Sequence, residues 1–126
     1  ATPCQVAAIE ALEGPQDHLK YMVEQYRLRR DYVMRRISEI PGLSCHAPAG
    51  TFYAFIDISQ LGMPCEEFAM KLLEERQVVV VPGTAFGEFG EGYIRLSYAT
   101  SMQCLEQGLQ ELEEFVRSHE TKGDPA

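Results

Sequence analysis

The sequence predicts an α+β fold: a small, largely antiparallel sheet covered by helices, in the order α-β-β-α-β-β-α. Three segments repeat apolar residues at helical spacing, and short β-branched or aromatic runs lie between them, bounded by Pro and Gly. The chain has 126 residues, enough for one domain with its own core but not for two.

Residues 3–13 can form a short helix, which Gly14-Pro15 stops. Asp17 is placed to cap the next helix. There Leu19, Met22, Val23, Tyr26, Val33, Ile37 and Ile40 fall on one face, and Pro41-Gly42 ends it. The other face carries Arg27, Arg29, Arg30, Arg35 and Arg36 among Glu24, Asp31 and Glu39. A net charge of −8 favours a solvated face over a nucleic-acid surface.

Leu43 to His46 and Thr51 to Ile58 read as two strands of an antiparallel hairpin, with Pro48-Ala49-Gly50 as the turn. Gly62-Met63-Pro64 opens a helix whose apolar face is Phe68, Leu72 and Leu73. Glu66 and Glu67 suit its positive end and need no acid–base role. Val78 to Val81 is a continuous β-branched run, expected as a fully buried strand ending at Pro82-Gly83. A loop with Gly83, Gly87, Gly90 and Gly92 follows. It leads into a strand with no lysine near, whereas a phosphate loop leads into a helix. Thr100 with Gln103 forms a candidate capping box for the last helix, lined by Met102, Leu105, Leu109, Leu112 and Val116. Residues 119–126 are expected to fray.

No apolar run is long enough to span a membrane as a helix. Cys4, Cys45, Cys65 and Cys104 lack paired spacing and read as free thiols of a cytoplasmic protein. His18, His46 and His119 lie too far apart in sequence to suggest a metal site. The opening residues, ATPCQVAAIEAL, read as the interior of a longer protein.

The strand Gly92 to Thr100, GYIRLSYAT, holds an arginine at its centre. Tyr93, Arg95 and Ser97 share one face; Ile94, Leu96 and Tyr98 share the other. Arg95 then has three readings. It is solvated, or paired within the domain to an acid such as Asp57, or it offers its flat fork of donors to a ligand carboxylate.

Three motifs stand in order: Pro48-Ala49-Gly50-Thr51-Phe52-Tyr53, Val79-Val80-Val81-Pro82-Gly83-Thr84-Ala85-Phe86-Gly87, and Tyr93-Ile94-Arg95-Leu96-Ser97-Tyr98-Ala99. Together they resemble the C-terminal small domain of class I/II aminotransferases, the fold-type I, pyridoxal-phosphate-dependent enzymes of the aspartate aminotransferase type. The likeness covers residues 1–118, with 1–14 as a connecting helix. It implies that Arg95 binds the substrate α-carboxylate. It places the Pro82–Gly87 loop at the active-site mouth and Gly50 near the same cleft. It also implies pyridoxal 5'-phosphate as cofactor, amino acid and 2-oxo acid substrates, a large cofactor-binding domain in the same chain, and a homodimer.

The family holds its cofactor through a lysine in the large domain. Lys20, Lys71 and Lys122 do not match that lysine's motif, so no catalytic or cofactor-binding residue is expected in this chain. Alone, it is expected to bind neither cofactor nor substrate usefully and to be inactive. The alternatives are a lyase or synthase on the same scaffold, or a free-standing α+β domain that binds a ligand or partner. A large exposed apolar surface would speak against the free-standing domain.

Overall fold

A computed structural model describes residues 1–120. Its helices are α1 (Thr2–Glu13), α2 (Asp17–Glu39), α3 (Cys65–Arg76) and α4 (Met102–Glu120); its strands are β1 (Ser44–Cys45), β2 (Tyr53–Asp57), β3 (Val81–Pro82) and β4 (Tyr93–Ser97). The strands form one antiparallel sheet in the order β1-β2-β4-β3. The expected hairpin is its β1–β2 pair, with Cys45 opposite Ile56.

Alternation along β2 and β4 divides the sheet into two faces. Ala54 pairs with Leu96 and Ile56 with Ile94, and all four side chains are buried on the same side. The core they share includes Val33 and Ile37 of α2, Phe68 and Leu72 of α3, and Leu109, Leu112 and Phe115 of α4. Phe68 and Phe115 meet edge to face at 5.1 Å. The three helices thus cover one side of the sheet only, giving two layers.

Several elements differ from the sequence expectation, each for a physical reason. The valine run is not a buried strand: Val80 is buried, but Val79 is 73% exposed. Only Val81 and Pro82 pair with β4, at the sheet edge. Proline donates nothing to a ladder, so it belongs at an edge. Strand β2 starts at Tyr53 rather than Thr51, because Thr51 is left-handed with φ 66°. The Tyr98 hydroxyl holds that strained residue by donating to the Thr51 carbonyl at 3.0 Å.

Asp17 is the first residue of α2 rather than its cap; it pairs with Lys20 at 3.3 Å. Helix α4 is capped by Ser101, not Thr100: its hydroxyl accepts the Cys104 N–H at 3.2 Å. Leu73 is exposed, since α3 turns only Phe68, Ala69 and Leu72 of its apolar residues beyond Cys65 inward. Helix α4 runs through His119 to Glu120, into the segment expected to fray; 121–126 lie outside the described residues.

The apolar face of α2 is covered only in its second half. Val33 and Ile37 are buried, whereas Leu19, Met22 and Val23 are exposed. Helix α1 buries nothing, and Val6, Ile9 and Leu12 are open, Leu12 at 82%.

Candidate functional site

Arg95 sits at the centre of the uncovered face. In register it lies opposite Phe55 on β2 and Val81 on β3. Its guanidinium carbon is 4.2 Å from the Tyr53 ring centroid and 4.6 Å from that of Phe86. Both distances are within cation–π range. Phe55 stacks on Tyr93 at 5.0 Å with the planes 7° apart, and meets Phe86 edge to face at 6.0 Å. The open face is therefore a continuous aromatic surface with one half-buried cation in it.

Arg95 makes no ion pair among the described residues. Asp57 is engaged elsewhere: it accepts the Ser59 N–H at 2.8 Å and closes its own turn. Hydrogen bonds from Ser59, with a further one from Tyr93, hold its carboxyl below the usual range. Three arginines of α2 contrast with Arg95, whereas Arg29 and Arg35 lie over the rings of Tyr26 and Tyr32 at the longer distance of 5.4 Å. Arg27 pairs with Glu24 at 2.8 Å, Arg30 with Asp31 at 2.8 Å and Arg36 with Glu113 at 2.7 Å. The first two pairs lie on the solvated face expected of that helix, and the third joins α2 to α4.

Phe86 reaches Arg95 because its loop is tightly wound. The loop forms two 3-10 turns, Gly83–Phe86 and Glu88–Gly90. Their backbones touch: a Cβ on Gly83 would stand 1.9 Å from the Gly90 carbonyl oxygen, and a Cβ on Gly90 equally close to that of Gly83. Only glycine permits that approach. The Thr84 hydroxyl ties the loop to α3 by donating to Glu66 at 3.0 Å. Glu91 ties its other end, accepting the N–H of Cys65 at 2.9 Å and that of Gly92 at 3.1 Å. Those two backbone donors lower its pKa.

Gly50 lines a separate cleft with Tyr26, Arg27, Arg30, Thr51 and Tyr98, and Arg95 is not part of that lining. A Cβ on Gly50 would meet nothing within 4 Å. The structure thus does not bring the two sequence-predicted site residues into one lining. It brings to Arg95 instead Tyr53, which had no expected role, and Phe86, of which only the loop was expected at the active-site mouth. The spacing of Tyr53 and Phe55 on β2 was the available signal for one side of this surface. Phe86 lies in the second of the three motifs, but nothing local signalled that its ring would meet Arg95.

The Arg95 guanidinium can take a carboxylate, and no amine for a cofactor aldehyde lies among the rings beside it. Lys20 pairs with Asp17 at 3.3 Å on α2, and Lys71 with Glu67 at 2.6 Å on α3. Lys122 lies outside the described residues. The described residues therefore do not fit pyridoxal phosphate by themselves. Among them no group of His, Cys, Asp or Glu could hold a metal ion. No described helix is long and apolar enough to cross a membrane.

The family pattern for aminotransferase class I and II matches residues 1–112. The chain belongs to that family. The chain is 46% identical over 112 residues to a putative aminotransferase of Bacillus subtilis, covering 89% of this chain and 29% of that protein. It is 44% identical over 114 residues to an aspartate aminotransferase of Pyrococcus horikoshii, with coverage of 89% and 29%. In structure it is similar to an alanine aminotransferase from Pyrococcus furiosus, with a TM-score of 0.89 and 38% identity, over 93% of this chain and 30% of that one. The chain thus spans under a third of the length of these relatives.

Proposed function

We propose that this chain is the small, C-terminal domain of a pyridoxal-phosphate-dependent aminotransferase, and that Arg95 receives the substrate α-carboxylate. The intact protein then moves an amino group between an amino acid and a 2-oxo acid. The observation that carries the role of Arg95 is its setting: a half-buried guanidinium on an uncovered sheet face, with rings around it and no ion pair among the described residues. A guanidinium in that state presents donors in its own plane, where a carboxylate can take two at once.

The cofactor supplies the electron sink for the α-carbon chemistry, held by residues of the longer protein. This chain's part is to bind and orient the acid end of the substrate, so that the reacting bond is correctly aimed. Gly50 lines the neighbouring cleft in the same reading. The exposed apolar residues of α1 and of the first half of α2 support a covering large domain in the same protein, since a free-standing domain gains nothing by leaving them in water. A homodimer and a cytoplasmic location belong to this reading too; the family resemblance supports the first, and four free thiols support the second. By itself the chain is inactive, because one arginine–carboxylate contact near a surface contributes only about 1 kcal/mol.

The test is made in the full-length holoenzyme with L-aspartate and L-alanine as amino donors and 2-oxoglutarate as acceptor. Arg95→Ala lowers kcat/KM by about 100-fold or more, because in the holoenzyme the covering domain takes the charge-assisted pair out of water, where it is stronger than at an open surface. Arg95→Lys restores little of it, since a point charge does not reproduce the fork. Turnover of Arg95→Ala close to that of the wild type rules the assignment out.

A further inference from the structure

We propose that Tyr53 and Phe86 are positioning residues: their ring faces hold the Arg95 guanidinium in place for an incoming carboxylate. This rests on the reading of Arg95 as carboxylate receiver and adds how its side chain is kept ready.

A long arginine side chain samples many rotamers, and fixing it at the moment of binding weakens the complex. A cation can be fixed beforehand by an acid or by a ring. An acid would occupy the in-plane N–H donors that the ligand needs. A ring attracts the cation through its negative face and leaves those donors open. The structure uses rings, at 4.2 Å from Tyr53 and 4.6 Å from Phe86. Asp57, the acid one could have expected there, is turned to the backbone of Ser59.

The rings are themselves braced. Phe86 meets the edge of Phe55, and Phe55 lies flat on Tyr93. Core formation does not explain Phe86, which is 51% exposed on a loop. That loop is pinned by the Gly83–Gly90 backbone contact and by Glu91. Two elements distant in sequence, β2 and the glycine loop, thus converge on one cation.

The experiment is a set of variants in the full-length holoenzyme, assayed with the same donors and acceptor. Tyr53→Leu and Phe86→Leu each raise KM for the amino acid and for the 2-oxo acid by about three- to tenfold, the worth of one cation–π contact. Their kcat stays within about twofold of wild type, because the substrate once bound still meets the arginine fork. Tyr53→Phe and Phe86→Tyr keep wild-type KM, since the ring face is what the cation needs. In an Arg95→Lys background, Phe86→Leu changes KM by less than it does alone. Should Tyr53→Leu not fold, Phe86→Leu on the exposed loop decides the matter.

Wild-type KM values in both leucine variants, alongside a large loss in Arg95→Ala, overturn the positioning role and leave the carboxylate assignment standing. An Arg95→Ala enzyme with wild-type kcat/KM overturns both. A Tyr53→Phe or Phe86→Tyr enzyme as impaired as its leucine counterpart also overturns the ring-face mechanism.

Discussion

On β2 and β4, neighbouring residues serve opposite ends. Ala54, Ile56, Ile94 and Leu96 turn beneath three helices and are between 0% and 7% exposed. Tyr53, Phe55, Tyr93 and Arg95 turn outward from the same strands and form the aromatic surface with its cation. The covered face is uniform in chemistry, aliphatic and close-packed, because its task is to exclude water. The open face mixes rings with a charge that finds no acid among the described residues. Such a mixture is a poor way to make a core and a good way to make a binding surface. One alternation therefore separates residues that make the fold from residues that make the site.

The division is tested most strongly by paired substitutions on one strand. Ile56→Ala opens a cavity under the helices and lowers the stability of the full-length protein by about 2–5 kcal/mol. Phe55→Ala, one position away, costs less, about 1–2 kcal/mol, because its ring is already 40% exposed and leaves no enclosed cavity. Urea unfolding of both variants checks this. Equal losses would mean that the open face is as much a part of the core as the covered one.

A second substitution crosses the division. Gly83→Ala forces a methyl group against the Gly90 carbonyl, so the loop backbone must shift. The expected destabilisation is about 1–3 kcal/mol, as for other overpacked sites. The shift also moves Phe86, so KM for the amino acid rises with it. Gly50→Ala is the control for stability, because a methyl group there meets nothing within 4 Å. An unfolding midpoint lowered in Gly50→Ala as far as in Gly83→Ala would show that the close approach is not what fixes the loop.

The covered face was legible in the sequence because period-2 alternation and helical spacing are local signals. Arg95 was legible for the same reason: its neighbours Ile94 and Leu96 declare which way it points. What failed depended on distant or competing contacts. Val78 to Val81 reads as a buried strand by composition, yet its place at the sheet edge is set by pairing with β4. Thr51 reads as a strand residue, yet Tyr98, far along the chain, holds it in a left-handed turn. Asp57 was a fair partner for Arg95 until its own turn claimed it, as aspartates near turns often do. The resemblance put the loop of Phe86 at the active-site mouth, but the contact of its ring with Arg95 was not legible, because it follows from two glycines whose backbones touch.

The smallest test concerns the joint between the two faces. Glu91 follows the loop that carries Phe86 and accepts the first N–H of α3, a helix of the covered side. Its pKa is lowered, chiefly by the N–H of Cys65 and then by that of Gly92. The sign follows from linkage: a carboxylate with a depressed folded pKa stabilises the fold fully above its unfolded pKa, about 4.3, and this is lost as pH falls through the lower folded value. The unfolding midpoint should therefore fall more steeply in wild type than in Glu91→Gln as pH drops from about 5 to 3. Above about pH 6 the difference between them should be constant and should favour the wild type. Asp57 and Glu113 are also depressed and act in the same direction, so the difference between the two proteins isolates Glu91 where either curve alone would not. A difference that does not change with pH would mean that the ionised carboxylate is not what joins the loop to α3. Phe86 would then depend on the Gly83–Gly90 contact and the Thr84–Glu66 hydrogen bond to stay beside Arg95.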